Sequence, residues 1–121
     1  MASMKKMALL SLLFVSHLFA TNYDALLFQG NCTACHLATK SHSAPSIQEI
    51  KTHYLSAFPK KNDFVAYMSE WVKVPDEKST LMHASVEKYG LMPELAYDLE
   101  TLKSIAGYIY ETDFTKEGES K

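Results

Sequence analysis

The stretch Cys32-Thr33-Ala34-Cys35-His36 contains the only two cysteines of the 121-residue sequence, three positions apart and followed at once by a histidine. On one turn of helix, residues three apart share a face, so both thiols can reach one edge of a planar group. The histidine is then held where a neutral imidazole nitrogen can bind a metal ion at the centre of that group. C-x-x-C-H is the attachment signature of c-type haem, so we expect two thioethers from the cysteines and a proximal iron ligand from His36.

Three other interpretations of the two cysteines compete with haem attachment. A structural disulfide between Cys32 and Cys35 would close almost no loop and so would stabilise the fold little. A thioredoxin-like redox pair belongs to a strand-rich α/β domain, whereas this chain has helical periodicity nearly throughout. A zinc site needs further ligands at matching spacing, and the sequence has no second C-x-x-C and no H-x-x-H pair. Haem attachment is the preferred interpretation, with the disulfide next.

Residues 1–20 have the three parts of a secretory signal peptide. Lys5 and Lys6 precede an apolar stretch from Met7 to Val15, and Ala20 is a small residue suitable for cleavage. An N-terminal helix of the fold is the alternative interpretation. No run of eighteen apolar residues is present, so we expect no ordinary transmembrane helix and no permanent membrane insertion. Cleavage of this segment would release a soluble, periplasmic mature chain.

The mature chain has an acidic charge balance. It keeps ten Lys, no Arg and 14 Asp or Glu, which gives a formal net charge of −4. Nucleic-acid binding needs a basic face, so we expect no nucleic acid among the partners. With 47% hydrophobic and 21% charged residues, 121 positions suffice for one globular domain and are too few for two.

Apolar residues recur at intervals of three and four along most of the mature chain, which predicts an all-α fold of about four short helices. The expected ranges are 23–29, ended by Gly30; about 46–56, closed by Pro59; about 62–72, with Pro75 just beyond; and about 98–110. Gly107 costs stability inside the last helix and suggests that another backbone approaches closely there. Residues 115–121 are polar and are expected to form a flexible tail.

In its motifs and their order, nearly the whole mature chain resembles the class I monohaem cytochromes c. Phe28 and Tyr108 stand at positions where that family often has aromatic residues in the first and last helices. The segment Ala44-Pro45-Ser46-Ile47 resembles the family's Gly-Pro-x-Leu element, apart from alanine in place of glycine. The proline carbonyl of that element commonly accepts a hydrogen bond from the ligand histidine. The segment Tyr89-Gly90-Leu91-Met92-Pro93 resembles the loop whose methionine is the second iron ligand.

The resemblance implies a cytochrome c-like fold over residues 21–114, built around one covalently attached haem c. It implies that His36 and Met92 bind the iron and that the full set of cofactor-binding residues is Cys32, Cys35, His36, Pro45 and Met92. Met82 and His83 stay open as alternative sixth ligands. Met92 is favoured because the proline directly after it stiffens the loop. Met82 stands at helical spacing from two other apolar residues, which favours a packing role.

A haem with both axial positions filled carries electrons, because electron transfer breaks no bond at the iron. The implied function is that of a single-electron carrier and not an enzyme, a monomer that meets periplasmic or membrane-bound redox proteins transiently. Surface lysines are candidates to steer such partners, although they equally suit a solvated face: Lys73, Lys78, Lys88 and Lys103. Two alternatives remain open, the haem subunit of an exported oxidoreductase and a haem-based sensor or gas-binding cytochrome with an open sixth position.

Overall fold

The computed structural model of the protein describes residues 23–119, and all regular secondary structure in this range is helical. Residues 23–31 form α1, and the later elements are α2 (Ile47–Ala57), α3 (Lys61–Lys73), α4 (His83–Tyr89), α5 (Leu99–Glu111) and a 3₁₀-helix (Phe114–Glu119). The all-α class predicted from the periodicity is confirmed for these residues. None of the helices in the described range has the length and apolar character needed to cross a membrane. The signal peptide expected at residues 1–20 lies outside the described range.

Capping side chains explain where two of the helices begin. Ser46 precedes α2, and its hydroxyl accepts a hydrogen bond from the Glu49 backbone N–H at 3.1 Å. Asp98 precedes α5, and its carboxylate accepts a hydrogen bond from the Thr101 backbone N–H at 2.9 Å. The hydrogen bond from the Thr101 hydroxyl, followed by that backbone bond, holds the pKa of Asp98 below its ordinary value. Both caps satisfy N–H groups that have no partner within the helix.

The hydrophobic core is centred on α3 and α5, which form the main helix pair. α2 packs against both of them, and the 3₁₀-helix packs against α2. Phe28 connects α1 to this core, because its ring centroid lies 5.2 Å from that of Tyr108 and 5.4 Å from that of Phe114. Such contacts between aromatic rings bury large apolar areas and fix the angle at which helices meet. The buried residues of the core cluster are Phe28, Ile47, Tyr54, Phe64, Met68, Ile105, Ala106, Ile109 and Phe114.

The first predicted helix ends too early, and one helix of the structure was not predicted. The prediction that Gly30 ends the first helix is wrong, because α1 continues to Asn31 and the Cys32 N–H donates to the Phe28 carbonyl at 2.9 Å. α4 was not predicted as a helix, and its seven residues are too few for a clear periodic pattern. Its N-cap residue, Met82, also makes no side-chain cap hydrogen bond within the described residues.

The expectation for Gly107 also needs correction. Among the described residues, a Cβ at Gly107 would meet only the Cε of Lys61, at 3.9 Å, so no backbone approaches closely there. The 3₁₀-helix extends to Glu119 and therefore covers much of the segment expected to be a polar tail. Phe114, at its start, is 0% exposed and anchors this end of the chain in the core.

Candidate haem-binding site

The C-x-x-C-H motif continues directly from α1 as a helical turn. The backbone N–H groups of Cys35 and His36 both donate to the Cys32 carbonyl, at 3.3 and 2.9 Å. Cys32 is half-buried and Cys35 is exposed, and their thiols are not joined to each other. All three motif side chains line one cleft. The turn therefore presents both sulfur atoms on one wall, the arrangement that two thioethers to one edge of a planar group require.

Burial and, second, the negative charge of a Cys35 thiolate raise the pKa of the Cys32 thiol to about 11. A redox-active C-x-x-C pair needs the opposite, since the thiolate is the nucleophile and such pairs have a lowered pKa. The described residues also lack the strands of a thioredoxin-like domain. Both observations weigh against the interpretation of Cys32 and Cys35 as a thioredoxin-like pair.

The ring of His36 is fixed by a hydrogen bond between its Nδ1 and the Pro45 carbonyl oxygen, at 2.8 Å. Because a carbonyl oxygen can only accept, Nδ1 carries the proton and Nε2 of the neutral ring keeps its lone pair. Histidines that bind metal ions almost always have such a partner on the second nitrogen, which sets the tautomer and the ring orientation. This is the hydrogen bond that the family resemblance implied for Pro45.

The loop that carries Pro45 is held in place on both sides. At the start of α2, the Ile47 N–H donates to the Leu37 carbonyl at 2.9 Å and the Gln48 N–H donates to the Ala38 carbonyl at 3.0 Å. Ala44, which stands where the family usually has glycine, needs no special backbone conformation, since the only positive φ angles in the described residues are at Gly90 and Ala96. The Pro45 carbonyl is thus positioned by the backbone of α2 and by the turn that follows His36.

The cleft beside the motif encloses about 1350 Å³, counted with its open mouth. None of the described residues that line the cleft is Asp, Glu, Lys or Arg, and most are apolar or aromatic. Its walls combine α2, α3, α5 and the segment after α4, through residues such as Ile50, Tyr54, Met68, Trp71, Leu95, Leu102, Ile105 and Ile109. A dry cleft without fixed charges suits a flat, largely apolar ligand.

Two of the three candidate sixth ligands line this cleft. Met82 is buried, with 9% of its surface exposed, and Met92 is half-buried. His83 is exposed and does not line the cleft. Met92 belongs to residues 90–98, which have no regular secondary structure and begin with Gly90 at φ 87°. The structure therefore brings both methionines, and not His83, to the cleft that contains His36.

Several residues that line the cleft are not part of the predicted site. Met68 and Trp71, both on α3, line it. Tyr54 is 5% exposed, and burial, followed by the neighbouring Tyr67, raises its pKa above the ordinary value. Tyr97 was not anticipated, since its contacts are with residues far away in the sequence and no local pattern signals them.

Comparisons with known proteins find no matching family model, no matching curated protein and no matching solved structure. The fit to haem therefore depends on the residues themselves. Two thiols on one wall, an imidazole with Nδ1 already bonded and a thioether on an apolar cleft form the donor set of a covalently attached haem. No cluster of three or more His, Cys, Asp or Glu that could hold a metal ion occurs within residues 23–119.

Proposed function

We propose that this protein is an exported monohaem cytochrome c that carries single electrons between periplasmic or membrane-bound redox proteins. The observation that carries the proposal is the His36–Pro45 hydrogen bond beside an apolar cleft. It leaves the second imidazole nitrogen as a metal donor next to the two thiols of Cys32 and Cys35. A disulfide between these cysteines would explain neither the fixed histidine nor the cleft.

Each site residue has a distinct task in this proposal. Cys32 and Cys35 hold the cofactor covalently, which prevents its loss outside the cell. His36 and Met92 would bind the iron, and the Pro45 carbonyl keeps the imidazole oriented. Haem c, when bound, supplies an iron that gains or loses one electron without a change of ligands. A thioether ligand favours the reduced iron, so the potential should lie above that of a site with two imidazoles.

The lining of the cleft suits a cofactor whose iron changes its charge by one electron. None of the described residues that line the cleft is Asp, Glu, Lys or Arg. The walls contribute a low dielectric, which disfavours the extra charge of the oxidised state. These properties suit a site that stores one electron and leaves all bonds intact.

Apolar residues at the surface near the motif are candidates for transient contact with redox partners. Cys35 is exposed, Leu37 is 42% exposed directly after His36, and Leu91 is 40% exposed beside Met92. A small apolar patch surrounded by polar surface is typical of brief encounters between electron-transfer proteins. Electrons would leave or enter where the thioether edge reaches solvent.

Export is part of the proposal and depends on residues 1–20, which lie outside the described range. N-terminal sequencing of the protein recovered from the periplasm should find a chain that begins at Thr21. A membrane-bound protein that retains residues 1–20 would contradict the soluble-carrier proposal, since the segment would then be an anchor.

The visible spectrum of the purified protein, recorded in both oxidation states and with carbon monoxide, tests the function. We expect a six-coordinate haem c spectrum, a weak long-wavelength sulfur-to-iron band in the ferric state, and slow or absent binding of carbon monoxide to the reduced protein. Rapid binding of carbon monoxide would contradict the carrier and favour a gas-binding cytochrome. A stable complex on size-exclusion chromatography of the native extract would instead favour an enzyme subunit.

A further inference from the structure

Residues 90–98, here called the methionine segment, connect α4 to α5 without regular secondary structure. The segment begins at the C-cap of α4, where the Gly90 N–H donates to the Val86 carbonyl at 2.8 Å, and it ends at Asp98, the N-cap of α5. Between these ends the helices give it no support. A segment of this kind keeps one shape only if specific contacts with other elements hold it.

Tyr97 makes two such contacts. Its phenol hydroxyl donates to Oδ1 of Asn31, the last residue of α1. Its backbone carbonyl accepts a hydrogen bond of 2.5 Å from Nζ of Lys73, the last residue of α3. The amide nitrogen of Asn31 donates in turn to the Leu27 carbonyl at 2.7 Å, which fixes the orientation of the acceptor. One residue therefore ties the methionine segment to both α1 and α3.

The backbone beside Tyr97 is strained. Ala96 has φ 55°, in the left-handed region that residues with a Cβ seldom adopt. Such a conformation persists only where the surroundings hold it, and strained positions concentrate at functional sites. The two hydrogen bonds of Tyr97 lie one residue further on and anchor the backbone directly beside this position.

These contacts lie at the candidate haem site. Asn31 directly precedes Cys32, and Asn31, Tyr97 and Met92 all line the same cleft. The hydrogen bond from Tyr97 to Asn31 thus links the segment that carries the thioether to the segment that carries the thiols and His36. Without this hydrogen bond, the segment that carries the thioether would move more freely relative to the segment that carries the thiols and His36.

We propose that Tyr97 is a positioning residue for Met92, because its two hydrogen bonds hold the methionine segment against α1 and α3 and keep the thioether on the cleft wall. It acts through Met92 and needs no contact with the iron. The inference rests on the proposed function, since the thioether has an iron to bind only where haem is attached.

The test compares the wild-type holoprotein with Tyr97→Phe, which loses only the hydroxyl. Hydrogen exchange of the peptide that covers residues 90–98 measures how often the segment opens, and imidazole binding to the ferric iron measures how readily the sixth ligand is displaced. Both the exchange rate and the imidazole affinity should rise about 2- to 10-fold, the range expected for the loss of one net hydrogen bond. A pyridine haemochrome spectrum of each sample verifies covalent haem independently of both readouts.

Two further variants sharpen the comparison. Asn31→Ala should raise both readouts at least as much as Tyr97→Phe, because it removes the same bond and also the bond from Asn31 to the Leu27 carbonyl. Adding Tyr97→Phe to Asn31→Ala should then have little further effect. Tyr110→Phe is the matched control: it removes a phenol hydrogen bond to the Pro59 carbonyl, 2.9 Å long, on a residue that does not line the cleft. This control should leave both readouts unchanged.

Three results would overturn the assignment. If neither readout changes in Tyr97→Phe, the hydrogen bond from the Tyr97 hydroxyl to Asn31 does not hold the methionine segment in place. If exchange rises while imidazole affinity stays at the wild-type value, Tyr97 supports the fold without positioning the ligand. If the haemochrome spectrum shows no covalent haem in the wild-type protein, the proposed function fails first, and the positioning role fails with it.

Discussion

Met82→Leu and Met92→Leu each remove one sulfur atom from the cleft and keep an apolar side chain of similar volume. Met82 is 9% exposed, and a volume-conserving change in a core costs less than about 1.5 kcal/mol of unfolding free energy. Met92 is half-buried, so its packing contribution is smaller. A large change in the properties of the iron in either variant therefore reports the loss of a ligand and not a loss of packing.

With Met92 as the sixth ligand, Met92→Leu should lose the long-wavelength sulfur band, bind carbon monoxide rapidly when reduced and have a lower potential. Met82→Leu should keep all three wild-type properties. Met82→Ala should also keep them, although the cavity that it leaves in the core costs about 2–5 kcal/mol. Stability and ligation are thus expected to change independently at these two positions.

The assay is a set of absorption spectra of the purified ferric proteins at one pH, followed by rapid mixing of the reduced proteins with carbon monoxide. Loss of the sulfur band in Met82→Leu together with its retention in Met92→Leu would refute the reasoning and make Met82 the ligand. A wild-type protein without the band would point to His83, which would then have to move into the cleft from its exposed position.

Three further predictions concern the scaffold. Ser46→Ala removes the N-cap hydrogen bond of α2 and should lower the free energy of unfolding in urea by about 1 kcal/mol, whereas Ser56→Ala, which changes an exposed hydroxyl inside the same helix, should have no effect. Phe114→Ala should cost about 3–5 kcal/mol because the ring is 0% exposed, and a cost below about 1 kcal/mol would show that the 3₁₀-helix is not part of the core. Burial and Tyr67 raise the pKa of Tyr54 above its ordinary 10.0, so above that pH the folded protein binds more protons than the unfolded chain. The stabilisation that neutral Tyr54 provides is fully present below about pH 10 and is lost as the pH rises toward the raised pKa. In Tyr54→Phe, the free energy of unfolding, measured by denaturation at successive pH values, should therefore fall less steeply at alkaline pH.

The helices were largely predictable because they have strong local signals. The apolar stripes placed α2 and α5 within about one residue of their observed ends. α4 was not predicted because its seven residues make only two turns. Its N-cap is also Met82, a residue type that seldom caps helices. Gly30 was misread as a helix end because glycine usually follows a helix, whereas here the hydrogen-bond pattern continues into the C-x-x-C-H turn.

The candidate site was predictable where its residues are neighbours in the sequence. Cys32, Cys35 and His36 form one contiguous motif, so their chemistry could be inferred from spacing alone. The hydrogen bond between Tyr97 and Asn31 joins residues 66 positions apart, and nothing in the local sequence of either residue indicates the other. Contacts of this kind come from the way helices pack, which a single sequence does not reveal.

The intact mass of the denatured protein tests covalent haem attachment most directly. The protein is exported in a host with haem-attachment machinery, extracted with acid acetone and measured by mass spectrometry. We predict the mass of the chain from Thr21 plus one haem, and the mass of the bare chain when Cys32 and Cys35 are both replaced by alanine. A wild-type protein with the mass of the bare chain, or with that mass less two hydrogen atoms as in a Cys32–Cys35 disulfide, would contradict the proposal.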